Sequence, residues 1–239
     1  MAERLQKILA RAGIASRRAA ESLISKGAVR VNDETVTRMG ITVDPDHDRI
    51  HVNGTPVAFA APPLTLMLNK PVGYICSADA AQGQTVFALL KEIPQRLFTI
   101  GRLDKNSEGL LLLTNDGELA NRLTHPRYEH QKLYEVTVGR RVTPAMLAKL
   151  NSALPIDGVP IQPAHVIIKT HDGSNHQTLL EFTLKEGRNR QIRKMCEHVG
   201  LRILRLQRVQ VGQFKLGTLP VGQYRALTPD EYKRLTDPA

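Results

Sequence analysis

Residues 58–64, AFAAPPL, carry two prolines and no charge. Proline locks its own φ and biases the residue before it toward extended backbone, so this stretch interrupts regular structure. The patterns on its two sides differ. The stretch is therefore read as a linker between a short domain, 1–57, and a long one, 65–239. A chain of 239 residues suits such a division into one mid-sized and one small domain.

In the short part, ERLQKILARAG places Leu5, Ile8, Leu9 and Ala12 at helical spacing, with Arg4, Lys7 and Arg11 on the other side. Gly13 ends this helix. Ser16 is suited to cap a second, RRAAESLISK, whose apolar face is Ala19, Ala20, Leu23 and Ile24, and Gly27 closes it. AVRV and VNDETV predict a hairpin around Asn32-Asp33.

In the long part, LTLML (64–68) and YICS (74–77) read as strands either side of the turn NKPVG. TVFALLKEI reads as a helix, LFTI and LLLLT as strands, and DGELANRLTHP as a helix stopped at Pro126. KLYEVTV alternates as a strand. TPAMLAKLNSA starts a helix with a Thr143 cap and Pro144 at its first position. HVIIKT and QTLLEFTLK predict a hairpin with its turn at Asp172-Gly173. RQIRKMCEHVG reads as a helix ended by Gly200, and RILRLQRVQV as a strand. TPDEYKRL has a capping box of Thr228 and Glu231. Hairpins mixed with helices argue an α+β fold. The expectation is a small N-terminal helical domain, two helices plus a hairpin, followed by a mixed, mainly antiparallel β-sheet domain with flanking helices.

Net charge is +10, which attracts polyanions such as RNA or DNA. The bases cluster. Residues 1–31 hold seven Lys or Arg against two acids, and residues 185–215 nine against two. Two basic faces suit one RNA, each phosphate contact adding affinity that salt removes. The two cysteines, Cys76 and Cys196, and eight histidines make no zinc-ligand spacing, so no metal is expected. Cys196 and His198 lie in a helix pattern and read as packing; His125, before Pro126, reads as structural. Neither a signal peptide nor a run of about 18 apolar residues is visible, which argues against membrane association and for the cytoplasm.

One acid stands out. In GRLDKNSEGLLLLTNDG, Asp104 follows Arg102 and precedes Lys105. It is open to two readings. An exposed loop ion pair would contribute about 0–1 kcal/mol and mean little. A catalytic carboxylate would act ionised, as nucleophile or base, and neighbouring cations favour that form.

Two resemblances bear on the choice. RLQKILARAGIASRRAAESLISKGAVRVNDETV resembles the S-four-type RNA-binding domain, which implies RNA as partner. NKPVG, GRLDKNSEGLLLLTNDGELANRLTHP, KLYEVTV and EGRNRQIRKMCEHVGLRILRLQRV resemble, in order, the motifs of ribosomal-RNA pseudouridine synthases of the RsuA/RluB-like family. That resemblance implies the essential aspartate at Asp104. Arg102 matches the arginine that helps hold the site open after the base leaves the stack. Tyr134 matches the tyrosine that packs on the target base, and Arg193 the arginine that pairs with the aspartate. Ile192 and Leu201 match apolar residues of the pocket floor. The basic residues Arg4, Lys7, Arg11, Arg17, Arg18, Lys26, Arg30, Arg188 and Arg190, with Ser16, are candidates for RNA contacts.

The residues themselves bear on each assignment. Tyr134 shares a strand face with Val136 and Val138, so its ring faces a core unless it lies at that face's edge. Ile192, Met195, Cys196 and Val199 form a buried stripe. Arg193 lies about 100° around the helix from Ile192 and borders that stripe. Arg190 lies three residues earlier on the same side, so either arginine can partner Asp104; the family motif favours Arg193.

The expected activity is isomerisation of one uridine in ribosomal RNA to pseudouridine. Asp104 would attack the anomeric carbon, add to the pyrimidine, or remove a sugar proton. No redox or phosphate chemistry is involved, so neither a cofactor nor a nucleotide is expected. The partner is ribosomal RNA or a pre-ribosomal particle, the protein a monomer. The DKNSEGLLLLTNDG match and the RQIRKMCEH helix favour large-subunit over small-subunit RNA. The alternative is a non-catalytic RNA-binding ribosome-assembly factor, which residues 1–57 alone would equally support. A nuclease is disfavoured by the lack of an acidic metal cluster.

Overall fold

The computed structural model describes residues 2–58, 62–124, 131–174 and 176–236. Residues 59–61 of the linker, and His125 and Pro126, lie outside these. The chain forms two compact units. One is Met1–Leu64 with Ile93–Leu97 and Asn115–Gly117; the other is Thr65–Glu92, Phe98–Thr114 and Glu118–Ala239.

The smaller unit runs β1 (Glu3–Arg4), α1 (Leu5–Arg11), α2 (Arg17–Ser25), β2 (Val29–Val31), β3 (Glu34–Val36), β4 (Thr42–Val43), β5 (Ile50–Val52) and β6 (Thr55–Pro56). Leu5, Ile8 and Leu9 are fully buried and pack with Ala20, Ile24, Val29 and Ile50. The Ser16 hydroxyl accepts the Ala19 N–H at 3.1 Å, capping α2 as expected. Ala19 itself is exposed, because the apolar stripe runs through Ala20 and Ile24. Val31 pairs with Glu34, leaving Asn32 and Asp33 as a two-residue turn with φ of 49° and 71°. Positive φ at both positions is what a type I′ hairpin demands.

The larger unit continues β7 (Thr65–Lys70), β8 (Phe98–Ile100), β9 (Glu108–Thr114), α3 (Gly117–Thr124), β10 (Lys132–Val138), α4 (Pro144–Leu150), β11 (Pro155–Ile156), β12 (Val159–Pro160), β13 (His165–Asp172), β14 (Gln177–Leu184), α5 (Gln191–His198), β15 (Ile203–Val211), β16 (Phe214–Lys215), β17 (Tyr224–Ala226) and α6 (Pro229–Thr236). Its sheet has the order β13-β14-β10-β15-β9-β7-β17, with β8 on β9 and β16 on β15. All these pairs are antiparallel except β15 with β9. The mixed, mainly antiparallel α+β architecture is as the sequence predicts.

Burial explains the strand patterns. Leu110–Leu113 are all buried because β9 is covered on both faces, so its sequence runs apolar without alternating. In β10, Tyr134, Val136 and Val138 are buried and the residues between them half-exposed.

Three local expectations fail. YICS is no strand: Ile75 makes only an isolated bridge to Thr85. TVFALLKEI yields a single short 3-10 turn, Val86–Leu89, which already suffices to bury Val86 and Leu90. The β13–β14 hairpin does not turn at Asp172-Gly173; Asp172 pairs with Gln177 and the loop is longer. There the Asp172 carboxylate accepts the Ser174 N–H at 2.9 Å, a local bond that competes with a tight turn.

Candidate active site

Asp104 lies in the loop 101–107 between β8 and β9, at the parallel seam where Glu108 and Gly109 meet Gln207 and Arg208. Six successive carbonyls of this loop have donors from outside it. Arg208 Nη1 donates to the Arg102 carbonyl at 3.4 Å and Cys76 Sγ to that of Leu103 at 3.4 Å. Lys70 Nζ donates to the carbonyls of Asp104 at 3.1 Å and Ser107 at 2.7 Å. The Gly73 N–H donates to that of Lys105 at 2.8 Å, and Arg193 Nη2 to that of Asn106 at 2.6 Å. Three of these donor side chains are cations. A backbone bonded at six of its seven carbonyls is firmly held, and it positions Asp104 without using the carboxylate.

The carboxylate itself faces two arginines. Asp104 Oδ2 lies 3.7 Å from Arg193 Nε and 3.8 Å from Arg190 Nη1. Both separations exceed a hydrogen bond. Arg193 Nε is buried with no hydrogen-bond partner among the described residues, an unusual state for a guanidinium nitrogen. Arg190 caps α5 with φ 53°, a left-handed conformation that costs a non-glycine residue about 1 kcal/mol or more. The choice between Arg190 and Arg193 thus has a double answer: both face Asp104. Arg193 is the better fixed, through Asn106 and its 2.9 Å bond to Ser107 Oγ.

Lys70 is fully buried at the end of β7. Burial lowers its pKa to about 8; Cys76, Asp104 and Glu108 oppose that shift and Arg208 adds to it. The unfolded chain, with an ordinary lysine, binds this proton up to about pH 10.5. The folded state therefore bears the cost of the buried ammonium most fully below pH 8 and sheds it as pH rises toward 10.5. Urea unfolding of wild type and Lys70→Met should show the wild type gaining on the variant between pH 8 and 10. A difference independent of pH across that window would refute the buried, shifted lysine.

A cleft of about 530 Å³ opens beside Asp104. Arg102, Tyr134, Arg188, Arg190, Ile192 and Arg193 line it with Asp104. Tyr134 is buried between Phe182 of β14 and Arg208 of β15, yet reaches the cleft, so its strand face serves core and site together. Leu201 is not part of the cleft lining. Its N–H donates to the Cys196 carbonyl at 2.8 Å, and that of Gly200 to the Glu197 carbonyl at 2.9 Å, the Schellman closure of α5. This closure draws Leu201 under the helix end, where it is buried. Cys196 is buried in the stripe too, and burial pushes its thiol up to about 12, which fits packing.

The basic residues are differently engaged. Lys7 and Arg11 pair with Glu3. Arg4 donates to the Gly40 carbonyl, and Arg30 to that of Asp33. Arg188 pairs with Glu186 and donates to the Pro160 carbonyl at 3.0 Å. Arg17, Arg18 and Lys26 are exposed.

Sequence reasoning missed Lys70, Arg208 and Lys132. Lys132 also lines the cleft, its pKa lowered by burial and then by Arg208. The available signals were faint: a lysine ending the apolar strand LTLMLNK, and an arginine at a position of RLQRVQV that turns out buried.

Residues 65–198 match the family described as RNA pseudouridylate synthase, and residues 3–50 the S4 domain. The ribosomal large subunit pseudouridine synthase B of Bacillus subtilis is 42% identical over 98% of this chain and 95% of its own. An uncharacterized RNA pseudouridine synthase of Aquifex aeolicus is 40% identical over 98% and 94%. A crystal structure of a pseudouridylate synthase superposes with a TM-score of 0.66 at 29% identity, covering 98% of this chain and 99% of that one.

Proposed function

The chain belongs to the RNA pseudouridylate synthase family, and from that premise we propose that it converts one uridine of large-subunit ribosomal RNA to pseudouridine at Asp104. The reaction breaks the C1′–N1 bond of uridine, turns the base and joins C1′ to C5. The C5 proton leaves to water and N1 takes one up, so composition is unchanged.

One observation carries the reading. A carboxylate with no hydrogen-bond donor among the described residues stands in a cleft between two arginines, on a loop held by its backbone. Such a group is open to a substrate at the sugar–base junction. Tyr134 offers a face for the flipped base, an interaction of roughly 1–3 kcal/mol. This helps offset the few kcal/mol, about, that unstacking costs. The Bacillus relative's name supports the large subunit.

The test is tritium release from ribosomal RNA labelled at C5 of uridine, with small- and large-subunit transcripts and with assembly intermediates. Release from the large-subunit substrate is expected. No release from any of them would favour a non-catalytic RNA-binding factor. Arg193→Ala should lower kcat by about 10²-fold, as loss of a preorganised charge does, with the RNA dissociation constant changed little. Equal losses in both would make Arg193 a phosphate contact only.

A further inference from the structure

The cleft leaves part of the larger unit's positive charge unexplained. Gly139, Arg140 and Arg141 follow β10, and Arg202 precedes β15. The two ends are joined. The Gly139 N–H donates to the Arg202 carbonyl at 3.1 Å, and Val138 pairs with Ile203. The Arg140 carbonyl accepts the Thr178 hydroxyl at 2.9 Å, tying the same corner to β14. Arg140, Arg141 and Arg202 are all exposed, and no ion pair involves them among the described residues. Glu108 pairs with Arg205 and Glu181 with Lys169, while the Asp172 carboxylate, at the same end of the sheet, accepts the Ser174 N–H.

Three guanidinium groups on a braced backbone make a basic surface outside the site already described. None of them lines the cleft. We propose that this corner binds backbone phosphates in the flank of the same RNA whose uridine enters the cleft, an inference that rests on the RNA reading above. Guanidinium forks match phosphate oxygens in pairs. Leu204, the exposed large apolar side chain at this corner, falls far short of the apolar centre of a protein interface. Arg140 stands six positions along from Tyr134, roughly 20 Å at the rise of a strand. Only an RNA that extends this far beyond the target reaches the corner.

The test uses the full chain and two large-subunit RNA fragments, one extending about ten base pairs from the target uridine and one cut back to about three, lengths that fall well beyond and well short of that span. The triple variant Arg140→Ala/Arg141→Ala/Arg202→Ala should weaken binding of the long fragment about tenfold. It should flatten the salt slope by about two to three, near one for each phosphate no longer neutralised. Binding of the short fragment, kcat at saturation and Tm should match wild type. The corresponding triple lysine variant should keep the slope. An unchanged slope on the long fragment overturns the proposal, as does equal weakening on both fragments or a fall in kcat. Wild type that binds the RNA but releases no tritium refutes the isomerase reading alone; wild type that binds neither fragment refutes both.

Discussion

Asp104→Asn is expected to abolish tritium release, a fall of at least about 10³-fold, while RNA affinity and Tm stay at wild-type values. The size follows from the role proposed for Asp104, that of a group entering the chemistry itself. The selectivity follows from the geometry. Asparagine has nearly the shape of aspartate. The carboxylate makes no hydrogen bond with the described residues, so its loss orphans no donor. Its two arginines stand 3.7 and 3.8 Å away in a partly open cleft, and such pairs contribute about 0–1 kcal/mol. The loop is held instead by Lys70, Arg208, Arg193 and Cys76 through carbonyls that asparagine keeps. Appreciable turnover by the variant would return Asp104 to the bland reading, a loop acid paired with its neighbours.

Gly109→Ala should destabilise the protein by about 3–5 kcal/mol, combining a strained backbone conformation with overpacking. Gly109 has φ +103°, and an added Cβ would lie 2.8 Å from the Arg208 backbone nitrogen and still closer to its carbonyl oxygen. Backbone on both sides cannot yield as a side-chain tip would. This is also the parallel seam of β9 and β15, so the strands must part. Arg208 would then lose its bonds to the carbonyls of Leu110, now 2.8 Å, and Arg102. Activity should fall together with stability. Urea unfolding gives the first quantity and tritium release the second. A variant with wild-type midpoint and full turnover would mean that the seam is not the tight contact described.

Some of this was legible beforehand. The Asn32-Asp33 turn, the Ser16 and Thr143 caps and the Thr228–Glu231 capping box depend on residues three or four apart, and all form as read. YICS and TVFALLKEI were misread because short apolar runs satisfy more than one periodicity. Their form is settled by what they pack against. Leu201 lies outside the cleft lining for a related reason. Its motif position is apolar as expected, but the closure of α5 turns it beneath the helix end.

The motifs were enough to single out Asp104, Tyr134 and Arg193 as candidates, because residue type and order are written along the chain. What holds them together is not. Lys70 reaches carbonyls 34 and 37 residues away, Arg193 one 87 away, and Arg208 one 106 away. The Lys70 and Arg208 bonds depend on the register of β7 against β9 and of β9 against β15, and the Arg193 bond on where α5 packs. Local sequence by itself determined most of the elements, their caps and the acid that stands out, since propensity, capping and periodicity act within a few residues. Only the tertiary structure decided that six carbonyls of one loop meet donors, three of the side chains among them buried or half-buried cations. Strand pairing and helix packing are non-local choices, and they set which distant side chain lies under which carbonyl.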